Sequence, residues 1–155
     1  MKDGAILHCY SDGFLARAIR RFTRSRVNHT ALVIEVWGET FIIDAQRDGV
    51  NLRPLKEWQK KYNYNYIISE PKTFTKEQKQ RAISMVGHTP YDFASLLWYQ
   101  PIYILFGKWF GKRKGRAKNR MFCSEFVAWV YELENWWKLS PQEVKEKIEL
   151  HKNFI

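Results

Sequence analysis

Stretches in which apolar residues alternate with polar ones and stretches in which they fall at helical spacing succeed each other along this chain without a regular order. Gly4 to Tyr10 reads as a first strand, closed by Ser11, Asp12 and Gly13. Ser11 or Asp12 can cap a helix whose apolar positions Phe14, Leu15, Ala18, Ile19 and Phe22 are ringed by Arg17, Arg20, Arg21 and Arg24. Val27 to Trp37 is the strongest strand signal, and Phe41 to Ala45 follows a short turn, Trp37-Gly38-Glu39-Thr40, so the two predict a hairpin. A further extended piece spans Gly49 to Pro54, and Pro54 can open a helix running through Trp58 to Lys61. Tyr64 to Ser69 reads as a strand ended by Glu70-Pro71. Thr75-Lys76-Glu77-Gln78 is a capping box for a helix with Ala82, Ile83 and Val86 on its apolar stripe, ending near Gly87. Met121 to Tyr131 predicts a strongly apolar helix, and Ser140-Pro141 begins a last amphipathic one with Ser140 as its cap. Strands and helices interspersed in this way predict one α+β domain over residues 1–155, with an antiparallel rather than a doubly wound sheet.

Tyr91 to Phe110 stands apart from these segments. Twelve large apolar residues lie between Phe93 and Phe110, but Asp92, Gln100, Pro101 and Lys108 interrupt the run and argue against a membrane span. Ordinary core packing is the expectation. The alternative is an exposed aromatic surface beside the basic residues from Lys108 to Arg120, suited to acidic lipid or an amphipathic substrate.

Charge and cysteine content narrow the classes further. Lys and Arg total 26 against 16 Asp and Glu, a net charge of +10 that favours an anionic partner: nucleic acid, acidic membrane or wall polymer. No nucleic-acid reading motif, phosphate-cradling glycine loop or dinucleotide fingerprint accompanies it. The basic helix after Gly13 reads first as a solvated outer face and second as a membrane-surface helix. Cys9 and Cys123 cannot build a disulfide framework, which points to reduced thiols in a cytoplasm. The apolar run before Cys9 is too short for a signal peptide, so a cytoplasmic protein, peripheral to a membrane at most, is expected.

Candidate chemistry centres on Cys123. It stands at the mouth of an apolar helix, directly after loop residues and positive charge, where backbone N–H groups and the helix dipole favour a thiolate. A lone cysteine there can equally be a small buried hydrophobe. The hairpin supplies partners: His29 and Asp44 are fifteen residues apart, so an even-numbered loop puts both on one face of the sheet. A two-residue turn at Gly38-Glu39 would place Asp44 opposite Val33, beyond reach of His29, so direct contact predicts a wider loop or a bulge. In such a set Cys123 attacks an acyl carbon, His29 carries its proton, Asp44 holds the imidazole, and the Cys123 N–H meets the oxyanion. Cys9, in a strand without a helix dipole, reads as a structural thiol. His8, His29, Cys9 and Cys123 have no pair at metal-ligand spacing, so no metal or cofactor is expected. His88 and His151 read as solvated.

With His29, Asp44 and Cys123 in this order, the chain resembles the circularly permuted branch of the papain-like NlpC superfamily, especially the YiiX-like proteins. The matching pieces are Asp3-Gly4-Ala5-Ile6-Leu7, Asn28-His29-Thr30-Ala31-Leu32-Val33, Ile42-Ile43-Asp44-Ala45 with Gly49-Val50, Pro90-Tyr91-Asp92, and Phe122-Cys123-Ser124-Glu125-Phe126-Val127. The resemblance implies a papain-like sheet packed against helices, Cys123 as nucleophile, His29 as base and Asp44 as the orienting acid, where the family often has glutamate. It also implies a role for Tyr91 in supporting the oxyanion region. The similar order in lecithin-retinol acyltransferase-like proteins leaves acyl transfer open. The expectation is therefore a cysteine hydrolase of amidase or peptidase type, cleaving an amide or ester in a cell-wall peptide or a lipid-linked acyl group. The alternatives are a thiol acyltransferase and a non-catalytic basic module that grips an anionic membrane, polymer or nucleic acid.

Overall fold

The computed structural model describes residues 1–12, 16–17, 20–21, 25–62, 65–111 and 119–153. Its frame is a five-stranded, wholly antiparallel sheet in the order β4-β3-β2-β1-β5, with β1 at Ile6–Cys9, β2 at His29–Val36, β3 at Glu39–Gln46, β4 at Gly49–Pro54 and β5 at Tyr66–Ser69. The α+β architecture is the one that the interspersed segments predict. Pro54, which lacks an N–H, ends the edge strand β4 instead of opening a helix, and α1 runs from Leu55 to Tyr62.

The alternation within β2 and β3 assigns two faces. Leu32, Ile34, Ile43 and Ala45 share one core with Phe126, Val127 and Val130 of helix α4, which spans Cys123–Val130. Helices α2 (Lys76–Ile83) and α5 (Pro141–Asn153) contribute Ala82, Val144 and Ile148 to that core. Ala31, Val33 and Ile42 face the other way, against Trp58 of α1, with Ala5, Leu7 and Cys9 of the neighbouring strand. The caps read from sequence hold: Thr75 and Gln78 form the reciprocal capping box of α2, and Ser140 with Glu143 makes the same pair at α5. Helix α2 stops at Ile83, short of Gly87, whose N–H bonds Val50 instead.

Two expectations change. The hairpin between β2 and β3 has a two-residue turn, not a wider loop, and it sits at Trp37-Gly38 with both residues at positive φ, 51° and 79°. Tryptophan seldom takes that conformation, which is why the glycine looked like the first turn residue rather than the second. The paired register ends at Leu32↔Ile43; carried one step further it sets Asp44 across from Ala31, two residues along β2 from His29. That diagonal is within reach of an imidazole, so no bulge is needed.

The second change concerns residues 93–110. The helical run continues through Pro101 by way of a π-helical stretch, Ser95–Tyr99, into α3 at Gln100–Phe106. Pro101 falls in the first turn of α3, directly after the π-helical stretch. Core packing accounts for one face only: Ser95, Leu96 and Gln100 are buried, whereas Trp98, Leu105, Phe106 and Phe110 are 69%, 63%, 71% and 61% exposed. The predicted helix over Phe14, Leu15, Ala18, Ile19, Phe22 and Arg24 lies largely outside the described residues, as do Tyr64, the basic residues from Lys112 to Lys118 and the side chain of His151.

Candidate active site

Cys123 is the first residue of α4 and follows Phe122, an N-cap with no side-chain oxygen to offer. The carboxylate of Glu125 accepts the Phe122 N–H at 3.4 Å, but no side chain caps the helix from outside. Relative to a serine or asparagine cap this forgoes about 1 kcal/mol of helix stability and leaves first-turn N–H groups pointing toward the sulfur. The backbone N–H groups of Thr30 and Ser124 both hydrogen-bond the thiol, and so does the His29 side chain. Thr30 ties the helix mouth to the start of β2, so the sheet residue beside His29 also holds Cys123.

His29 is buried and donates or accepts through both ring nitrogens. Nε2 lies 2.9 Å from Oδ2 of Asp44, which leaves Nδ1 for the sulfur. The carboxylate of Asp44 is wholly buried and is held by a clamp that sequence reading did not find. Trp58 Nε1 donates to Oδ2 at 2.9 Å, Gln46 Nε2 donates to Oδ2 at 2.5 Å, and Arg53 Nη1 donates to Oδ1 at 2.8 Å. Gln46 and Arg53 could have been found by parity, since Gln46 is two residues from Asp44 on β3 and Arg53 two residues from its partner Asn51 on β4. Trp58 carries no such signal, because its place depends on how α1 docks. Gln46 in turn accepts from Lys61.

The electrostatics follow from these contacts. Burial raises the Cys123 thiol, but the positive charge and hydrogen bond of His29, with the Thr30 and Ser124 N–H groups, bring it below its ordinary value. Burial likewise pushes His29 down, and the Cys123 thiolate with the hydrogen bonds of Asp44 and Cys123 outweighs it, lifting the imidazole to about 10. For Asp44, too, burial raises the carboxyl while the His29 hydrogen bond and charge lower it on balance. All three shifts favour the charged forms: thiolate on Cys123, imidazolium on His29 and carboxylate on Asp44.

The remaining candidates divide clearly. Cys9 is the direct cross-strand partner of His29, yet its thiol is raised, first by burial and then by Asp44 and Cys123. Its thiol donates to the Leu7 carbonyl at 3.9 Å. His8 is buried against Ser69, Nε2 to Oγ 3.1 Å, and is pushed down to about 3 by burial and then by Lys145, so it stays neutral. His88 is exposed. Tyr91 forms a parallel bridge with Met121, two residues before Cys123, and its ring packs on Phe93 at 4.8 Å and against Leu96 and Phe122. Where β1 leaves the sheet and β2 enters it, Tyr10, Arg20, Arg21, Ser25 and Arg26 line an open depression of about 620 Å³.

Comparison with known proteins bears on the family and the fold. The crystal structure of metalloprotein YiiX from Escherichia coli O157:H7 matches with a TM-score of 0.61 at 25% sequence identity, over 84% of this chain and 64% of that one. The chain thus spans a little under two thirds of that protein's length. Among the described residues here, no group of three or more His, Cys, Asp or Glu side chains could hold a metal ion, and Asp44 already faces Arg53. No curated protein sequence matches. The family described as "permuted papain-like amidase enzyme, YaeF/YiiX, C92 family" matches residues 1–153. The chain therefore belongs to the YaeF/YiiX family of permuted papain-like amidase enzymes.

Proposed function

We propose that this chain is a cysteine hydrolase of amidase type that works through a thioester on Cys123. The observation that carries the reading is the His29 imidazole, hydrogen-bonded to Asp44 at 2.9 Å on one side and to the Cys123 thiol on the other, at the mouth of an uncapped helix. The Cys123 thiolate attacks the carbonyl carbon of an amide or ester. Protonated His29 gives its proton to the leaving nitrogen or oxygen, and the acyl group stays on sulfur. Neutral His29 then takes a proton from water as it attacks the thioester, releasing the acid and restoring the thiolate–imidazolium pair. Asp44 keeps Nε2 protonated and the ring in place. The Cys123 N–H is the first oxyanion donor, and Tyr91 supports that side of the site through its bridge to Met121.

Candidate substrates are cell-wall peptides and lipid-linked acyl groups. The arginines lining the depression beside β2 favour one that carries an anionic group. If another nucleophile replaces water at the thioester, the same residues perform acyl transfer. A chain with two free thiols suits a reducing compartment such as the cytoplasm, and no helix among the described residues is long and apolar enough to cross a membrane.

The test is labelling with a small thiol-directed alkylating reagent across pH, with the modified residues mapped by mass spectrometry. Cys123 should react well below the pH at which an ordinary thiol, with a pKa of about 8.5, ionises. A Cys123 no more reactive than Cys9 would remove the nucleophile assignment.

A further inference from the structure

Away from Cys123, the most anomalous surface is the helical segment that begins at Phe93. From Phe93 to Gly107 there is no charged residue, and the segment's two sides are used unequally. The inward side is accounted for. Leu96 packs with Phe122 and Tyr91, Ser95 Oγ donates to Asp92 Oδ2 at 2.6 Å, Trp109 folds back on Tyr99 and Tyr103 with centroids 6.3 and 6.0 Å away, and Lys138 Nζ sits 4.4 Å from the Tyr103 ring. The outward side carries Phe93, Leu97, Trp98, Leu105, Phe106 and, past the helix, Phe110, all exposed large apolar groups. Trp98 and Leu105 are seven residues apart, two helical turns, so they fall on the same side of the segment.

What such a face meets is decided by its flank. Gly107, left-handed at φ 68°, ends α3, and Lys108 follows at once. By sequence, residues 108–120 carry seven Lys or Arg and no acidic residue. An apolar protein partner would have no need of that run, whereas an anionic bilayer uses both halves: acyl-chain boundary for the aromatics, headgroups for the cations. We propose that the face formed by Phe93, Leu97, Trp98, Leu105, Phe106 and Phe110 docks the protein on the surface of an anionic lipid membrane. It lies in the interface rather than spanning it, since no helix among the described residues is long and apolar enough to cross. Because Leu96 on the inner side of the same segment packs against Phe122, docking brings the residue next to Cys123 close to the membrane surface.

Cosedimentation with vesicles tests the docking alone, using the full chain as Cys123→Ser so that chemistry and binding are read separately. The protein should bind vesicles of equal parts phosphatidylcholine and phosphatidylserine, ignore phosphatidylcholine alone, and release in about 1 M salt, where charges are screened beyond about 3 Å. Trp98→Ser with Phe106→Ser, both exposed and therefore harmless to folding, should lower binding at least about tenfold, and Lys108→Glu about tenfold or more. Circular dichroism unchanged from the parent keeps those losses interpretable. Three results would overturn the proposal: no vesicle binding; binding unaffected by the aromatic pair, which is adhesion by charge alone; or a dimer in solution that the aromatic pair breaks without any vesicle binding, which makes the face a contact between two copies. None of the three bears on whether Cys123 forms a thioester, which labelling of the parent chain reads independently.

Discussion

Cys9 and Cys123 are both free, both all but unexposed, and both within electrostatic reach of Asp44 or His29, yet their thiols shift in opposite directions. Burial raises each of them. The difference lies in what else each sulfur meets. Cys9 lies at the end of β1 with its S–H directed at the Leu7 carbonyl, and the negative charges of Asp44 and Cys123 raise it further. Cys123 sits where a strand end and a helix mouth converge, so N–H groups from Thr30 and Ser124 and the His29 ring all favour the thiolate. Adjacency to His29 is thus not sufficient: Cys9 is paired with His29 across the sheet, yet its thiol is raised. Donor geometry decides.

The largest way to break the comparison is to exchange the two roles by mutation. Cys123→Ala should abolish turnover, by at least about 10⁴-fold in kcat, whereas Cys9→Ala should leave kcat/KM within about threefold; steady-state kinetics on any accepted amide or ester reads both. Removing the charge that separates them comes next. His29→Gln should lower kcat/KM by about 10³-fold and return Cys123 toward a reactivity like that of Cys9 in alkylation assays. Asp44→Asn keeps the size of the side chain but loses the charge. It should lower kcat on the order of 10²-fold or more and destabilise the fold by up to about 3 kcal/mol, because Arg53 loses its buried carboxylate; denaturant melts measure the second effect. Trp58→Phe removes one donor from Asp44 and should cost only about 1 kcal/mol of stability, with a few-fold fall in rate.

How much of this could be read from sequence follows the same division between local pattern and tertiary contact. The thiol at a helix mouth was legible at Phe122 to Val130 because an apolar helix needs no partner to be recognised. The shared face of His29 and Asp44 was legible by parity, which survives a turn displaced by one residue. Their contact was not, because it hung on Trp37 accepting a positive φ, a choice set by the twist of the hairpin and not by tryptophan's preference. The clamp on Asp44 needed three separate elements to converge, and Trp58 in particular arrives from a helix whose docking no local pattern records. The segment from Phe93 to Phe110 failed for a different reason. An apolar residue reads the same whether it faces a core or solvent, so the sequence alone favoured the commoner outcome, which holds for the inward side of the segment only.

The pH dependence ties these parts together. His29, raised from 6.5 to about 10, stabilises the folded protein fully below pH 6.5 and ceases to do so as pH rises through about 10. Cys123, lowered from 9.0, contributes above pH 9 and loses that contribution as pH falls through its depressed value. Between the two, thiolate and imidazolium coexist, so activity should form a plateau with an acid limb below the ordinary thiol range and an alkaline limb near pH 10. The most direct test is to titrate the ultraviolet absorbance of the thiolate in Cys9→Ser, where Cys123 is the only thiol, against the variant that lacks both cysteines. Thiolate absorbance should already be present at neutral pH, be lost only in acid, and return to ordinary titration in His29→Gln. A Cys123 that ionises at or above about pH 8.5, with or without His29, would contradict the thiolate assignment.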